Sequence, residues 1–101
     1  MEQQTNTVID QIVRSETEYE DEYFHWWFKL IVDEKNTTMW KLELTKKKLT
    51  GPCIGEMTTI IRYTDTLKNA IEVIRDLGAA QIAPAIVVKK CIMVLPDVAF
   101  W

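Results

Sequence analysis

Glycine, histidine and cysteine are scarce in this chain, and each scarcity removes a class of chemistry. Three glycines in 101 residues leave no room for a phosphate-cradling loop or a dinucleotide-binding glycine pattern. The single histidine, His25, has no serine, cysteine or metal-binding partner at a recognisable spacing. It therefore reads as a partly exposed strand residue rather than a catalytic base. The two cysteines, Cys53 and Cys91, stand alone. They lack the paired short spacings of a zinc site, and His25 would still leave a fourth ligand missing. They read as reduced thiols, with a Cys53–Cys91 disulfide as the alternative. Carboxylates are plentiful, but none sits in an evident apolar pocket that would raise its pKa for acid–base work. No enzyme activity, no cofactor and no metal is expected.

Long apolar runs are also missing. The densest stretch, residues 83–95, is broken by Lys89-Lys90 and bounded by Pro84 and Pro96, far short of the ~20 apolar residues of a membrane span. Met1 to Arg14 has no signal-type apolar core, so Asn36-Thr37-Thr38 reads as a turn rather than a glycosylation acceptor. A cytoplasmic location and no membrane contact follow as expectations. A net charge of −3 with a pI near 5.1 argues against a generic electrostatic nucleic-acid binder, whose affinity comes from Lys and Arg on phosphates.

Apolar residues make up 48% of the chain and charged residues 27%, values that support one folded domain over residues 1–101. Four Trp and three Phe are many for this length, and large aromatics dominate both cores and interface hot spots. The aromatics concentrate in Phe24-His25-Trp26-Trp27-Phe28-Lys29-Leu30-Ile31-Val32. Side chains alternate along a strand, so one face carries Phe24, Trp26, Phe28, Leu30 and Val32. The other carries Tyr23, His25, Trp27, Lys29 and Ile31, too apolar for an ordinary solvent face.

Around that strand the spacing predicts a short helix over 4–14 from Val8, Ile9, Ile12 and Val13. A turn at 33–37 leads to a strand in which Trp40, Leu42 and Leu44 alternate with polar residues, pairing back as a hairpin. Lys46-Lys47-Lys48 and Thr50-Gly51-Pro52 read as a basic, solvated loop. A third strand runs from about Glu56 to Tyr63, with Met57, Thr59, Ile61 and Tyr63 on one side. A helix capped by Thr64 or Asp65 follows, with Leu67, Ala70, Ile71, Ile74 and Leu77 as its stripe and Gly78 as its stop. The β-branched clusters of 83–95 favour a last strand. Phe100-Trp101 is either a core plug or an interface anchor. The expected fold is α+β, in the order α-β-β-β-α-β, with a mainly antiparallel sheet of three to four strands. Its first five elements resemble double-stranded-RNA-binding domains in topology alone. Apart from Lys68, the basic residues which that family carries at the start of its second helix have no counterpart around 64–68.

The acidic run Glu16-Thr17-Glu18-Tyr19-Glu20-Asp21-Glu22 leads into the aromatic strand. Extended, it projects Glu16, Glu18, Glu20 and Glu22 to one side about 6.6–7 Å apart. Such a row either imitates a line of phosphates facing a basic groove or keeps the aromatic strand soluble. Tyr19 and Tyr23, interleaved with the acids, favour a contact surface. The candidate partner-binding residues are Glu16, Glu18, Tyr19, Glu20, Glu22, Tyr23, His25 and Trp27. The expected function is non-enzymatic binding of a protein partner, in the style of small inhibitors and adaptors, including those that phages and viruses direct at nucleic-acid machinery. A single-stranded nucleic-acid binder stacking bases on Trp27 and Tyr23, and a structural homo-oligomer, are the alternatives.

Overall fold

A computed structural model of the chain describes residues 11–33 and 36–95. It contains four strands followed by two helices: β1 (Gln11–Glu20), β2 (Phe24–Asp33), β3 (Asn36–Lys48), β4 (Met57–Thr64), α1 (Leu67–Ala79) and α2 (Ala85–Met93). All three strand pairings are antiparallel and sequential, so the sheet is a meander in the order β1-β2-β3-β4. This β-β-β-β-α-α order corrects the expected α-β-β-β-α-β order at both ends, and the topological likeness to double-stranded-RNA-binding domains goes with it.

The first correction concerns residues 11–14. They open β1, where Ile12 pairs with Val32 and Val13 with Ile31, across a bulge before Ser15. Pairing with the aromatic strand satisfies their backbone groups where a short helix would need docking to persist. The rest of the expected helix, including Val8 and Ile9, lies outside the described residues, as do Phe100 and Trp101.

The second correction is residues 85–93, which are helical rather than extended. Pro84 occupies the N-cap, and its carbonyl accepts from the Val87 and Val88 amides, each at 3.0 Å. Val87 and Cys91, four apart, are buried, while Val88 and Ile92 pack at the edge of the core. The apolar period of this segment outweighs its β-branched composition.

Two smaller corrections concern Lys46-Lys47-Lys48 and Gly78. The lysines close β3 rather than forming a loop. The turn behind them, 49–56, closes through Lys48 N–H to Glu56 O at 2.9 Å and Gly55 N–H to Lys48 O at 2.8 Å. Gly55 sits there at φ +90°, a conformation that favours glycine. Gly78 lies inside α1 and does not end it. A Cβ at Gly78 would stand 2.9 Å from Val88 Cγ2, so glycine is there for the approach of α2. The stop is a Schellman arrangement one turn on. Gln81, at φ 61°, donates to Gly78 O at 3.0 Å, and Ile82 donates to Leu77 O at 2.9 Å.

The N-cap of α1 is Thr66, whose hydroxyl accepts from the Asn69 amide at 3.0 Å. The helix then buries Leu67, Ala70, Ile74 and Leu77. They meet Trp26, Phe28, Leu30, Trp40, Leu42 and Leu44 on one sheet face, with Val87 and Cys91 of α2 completing the core. α1 lies over β3 and β4, and α2 over β1. At about 1.5–3 kcal/mol for each large apolar side chain taken fully out of water, this single interface is the main source of stability. Both helices lie on that face, and the opposite face carries neither.

Candidate interaction surface

The register fixes the open face as a grid of cross-strand rows. Reading from β1 to β4, the rows are Glu20–His25–Lys47–Met57, Glu18–Trp27–Thr45–Thr59, Glu16–Lys29–Glu43–Ile61 and Val13–Ile31–Lys41–Tyr63. Directly opposed side chains on one face touch, so the acidic row of β1 meets the second face of the aromatic strand. Ile31 is buried, whereas Val13, Met57, Ile61 and Tyr63 are exposed.

The centre of the acidic side is His25. Its Nε2 lies 2.8 Å from Glu18 Oε1, and its Nδ1 bonds Glu20 Oε1. Ionised carboxylates only accept, so both ring nitrogens must donate, and the imidazolium is the form that satisfies both bonds. The bond to Glu20 is the main cause of a His25 pKa above its ordinary 6.5. Desolvation opposes it, and the bond to Glu18 adds to it. The ring also stacks on Trp27, with centroids 4.2 Å apart and planes at 26°. Trp27 is thus held in one orientation while remaining half-buried. Shallow depressions flank it, one bounded by Glu16, Glu18 and Lys29 and the other by Lys29, Glu43, Thr45 and Met57. Lys41 Nζ lies 3.5 Å from Glu43 Oε2, and the Thr45 and Thr59 hydroxyls lie 3.0 Å apart.

Of the sequence-predicted residues, Glu16, Glu18, Glu20, His25 and Trp27 therefore come together. Tyr19 does not. It points to the helix-covered face and packs on the core, with Lys90 Nζ 6.0 Å from its ring centroid. Glu22 and Tyr23 lie in the 21–23 turn, which Asp21 organises by accepting from the Tyr23 and Phe24 amides at 2.8 Å each. Tyr23 lines a separate concavity of about 490 Å³ with Phe24, Trp26 and Lys46 at the rim of the core. Lys46 Nζ stands 4.9 Å from the Phe24 ring centroid there.

Sequence reasoning placed Lys29 on this face of β2 but missed Lys41, Glu43, Thr45 and the β4 residues as members of the same surface. The alternation of Met57, Thr59, Ile61 and Tyr63 was visible. What fixes their face is the β3–β4 register, a long-range fact. Among the described residues no cluster of three or more His, Cys, Asp or Glu side chains could hold a metal ion, and no helix is long and apolar enough to cross a membrane. Comparison with known protein families, with curated proteins and with solved structures finds no match to this chain. The class is accordingly given by architecture: an α+β protein whose four-stranded meander has two helices on one face.

Proposed function

We propose that this chain is a non-enzymatic interaction protein that binds a protein partner on the β1–β2 side of its open sheet face. The observation carrying this reading is the clamp on His25. Two carboxylates hold the imidazole, and the imidazole holds the Trp27 indole beside the row Glu16, Glu18 and Glu20. An aromatic of fixed orientation loses little entropy on being covered, which is the property of an interface anchor. The carboxylates supply steering and register towards a partner surface bearing Lys or Arg around an apolar pocket. Both His25 nitrogens are committed to these bonds, so the ring offers no free lone pair as a base or metal ligand.

The nucleic-acid alternative, read from the sequence on Trp27 and Tyr23, keeps Trp27 alone of that pair on this face, where Tyr63, Lys29, Lys41 and Lys47 join it. Against it, a phosphate chain crossing Trp27 would meet the three β1 carboxylates. The test is affinity capture from the cell that makes the protein, with partners identified by mass spectrometry. Trp27→Ala and the double variant Glu16→Lys/Glu18→Lys should each lose the captured protein, while Glu72→Lys on the far side of α1 should retain it. Capture unaffected by all three changes would overturn the reading. So would quenching of tryptophan fluorescence by an oligonucleotide at low salt that Trp27→Ala removes.

A further inference from the structure

The β4 edge is a second surface, independent of the acidic corner. Among the described residues β4 ends the sheet, and its exposure is nearly continuous from Met57 to Tyr63. Its hydrogen-bonding parity follows from one bond. Lys48 N–H donates to Glu56 O, and Lys48 and Glu56 stand opposite in the β3–β4 register, which makes them a hydrogen-bonded pair. The pairs Lys46–Thr58, Leu44–Ile60 and Leu42–Arg62 are then of the same type. Met57, Thr59, Ile61 and Tyr63 therefore turn their N–H and C=O groups away from the sheet. The close Thr45–Thr59 hydroxyl pair agrees, since side chains approach more closely in the non-hydrogen-bonded pairs. Among the described residues, Arg62 Nη1, donating to Ile61 O at 3.0 Å, is the one group that covers an outward carbonyl.

This edge carries few of the devices that keep sheet edges from pairing. It has no proline and no bulge, Arg62 is its one charge, and most of it is β-branched or aromatic. The other edge differs. In β1 any same-face pairing centred on the acidic row sets Glu16, Glu18 or Glu20 against another glutamate. The helix layer adds to the contrast. Gly78 of α1 faces Val88 of α2, so half-buried Val73, on the opposite flank of α1, lies towards β4. Val73 and Ile60 on the helix side and Ile61, Tyr63 and Met57 on the open side thus wrap apolar surface around one edge.

We propose that β4 pairs antiparallel with β4 of a second copy of this chain, about a two-fold axis through Ile60, so that two four-stranded sheets become one of eight strands. The chemistry of β4 fits itself in this register. Met57 meets Tyr63 of the other copy, a favourable sulfur–aromatic pair. Thr59 meets Ile61, Ile60 meets Ile60, and Arg62 meets Thr58, so no like charges oppose. The four outward residues form four pairs exchanging two bonds each, or eight backbone hydrogen bonds. The interface is isologous, as a closed dimer requires. Arg62 releases Ile61 O in the process and gains the Thr58 hydroxyl opposite.

The test is the mass of the full chain by sedimentation equilibrium, together with amide exchange by NMR at two protein concentrations. The expected result is a species of twice 11.8 kDa, with the Thr59 and Ile61 amides slowing as concentration rises while Thr58 and Ile60 stay protected throughout. Ile61→Pro removes an N–H that the monomer does not use, and Ile61→Lys places a charge opposite Thr59 and brings the two lysines into diagonal proximity across the axis. Both should sediment as monomers with unchanged far-ultraviolet circular dichroism. A monomer at every concentration, a dimer that persists in folded Ile61 variants, or Thr59 and Ile61 protection that ignores concentration (an edge covered by the chain's own segment) would overturn the proposal. The readouts leave Trp27 and the β1 carboxylates untouched, so this proposal and the proposed function stand or fall separately.

Discussion

Replacing Gly78 by alanine puts two opposed effects on one atom. In an ordinary helix interior the change stabilises by about 1 kcal/mol, because alanine restricts the unfolded backbone and glycine does not. Here the new Cβ would lie 2.9 Å from Val88 Cγ2, closer than side-chain carbons approach without displacement. Val88 is β-branched and helical, so its χ1 has essentially one comfortable well, and α2 must shift instead. Overpacking of this kind costs about 1–3 kcal/mol. Taking the middle of that range, Gly78→Ala loses about 1 kcal/mol net, a fall in Tm of roughly 4–8 °C for a domain of this size. Shortening the opposing residue reverses the sign. In a Val88→Ala background the alanine at 78 has space, and the same substitution should raise Tm by a similar amount. The coupling in the double-mutant cycle is then about 2 kcal/mol. Thermal and urea unfolding of the four proteins measure it. Gly78→Ala raising the stability of the otherwise unaltered chain would refute the reasoning, since helix propensity would then outweigh the α1–α2 contact.

Gln81 holds a left-handed backbone at φ 61°, so Gln81→Gly should stabilise by about 1 kcal/mol, read as a higher urea midpoint at unchanged slope. The single histidine gives one imidazole signal in proton NMR. Its titration should fall above 6.5, and Glu20→Gln should lower it more than Glu18→Gln, since the bond to Glu20 is the larger cause. A raised folded pKa means that His25 stabilises fully below its unfolded value of 6.5 and loses that contribution as pH rises through the folded pKa. The Tm advantage over His25→Gln should therefore shrink on going alkaline. An advantage that grows with pH would reverse the assignment of the charged form.

Much of the sheet interior was legible in the sequence because period two needs no knowledge of partners. Phe24, Trp26, Phe28, Leu30 and Val32 packed against Trp40, Leu42 and Leu44 follow from alternation alone, and the Leu67–Leu77 stripe follows from helical spacing. The errors arose where one local pattern serves two structures. Ile12 and Val13 fit a helix face and a strand equally, and the pairing with β2 decided for the strand. Ile86-Val87-Val88 has the composition of a strand, yet Pro84 and the Val87/Cys91 spacing make a helix, because only a helix covers the β1 half of the core. Gly78 resembled a stop signal when its reason was a neighbour ten residues away in sequence. The candidate site divided in the same manner. Alternation grouped Glu16, Glu18 and Glu20 and separately grouped His25 with Trp27. The β1–β2 register joined the two sets and sent Tyr19 to the other side.

The two thiols are sorted by burial. Cys91 is enclosed beneath α2, where desolvation pushes its pKa up to about 12, so almost none of it is thiolate at neutral pH and the folded protein shields it from alkylation. Cys53 lies exposed in the turn that leads into β4. The unmodified chain thus offers one site for a fluorescent or spin label, with no cysteine to be engineered in or out. In a β4-paired dimer two such labels, related by the two-fold axis, would lie at opposite ends of the joined strands, and the distance between them would report the register directly.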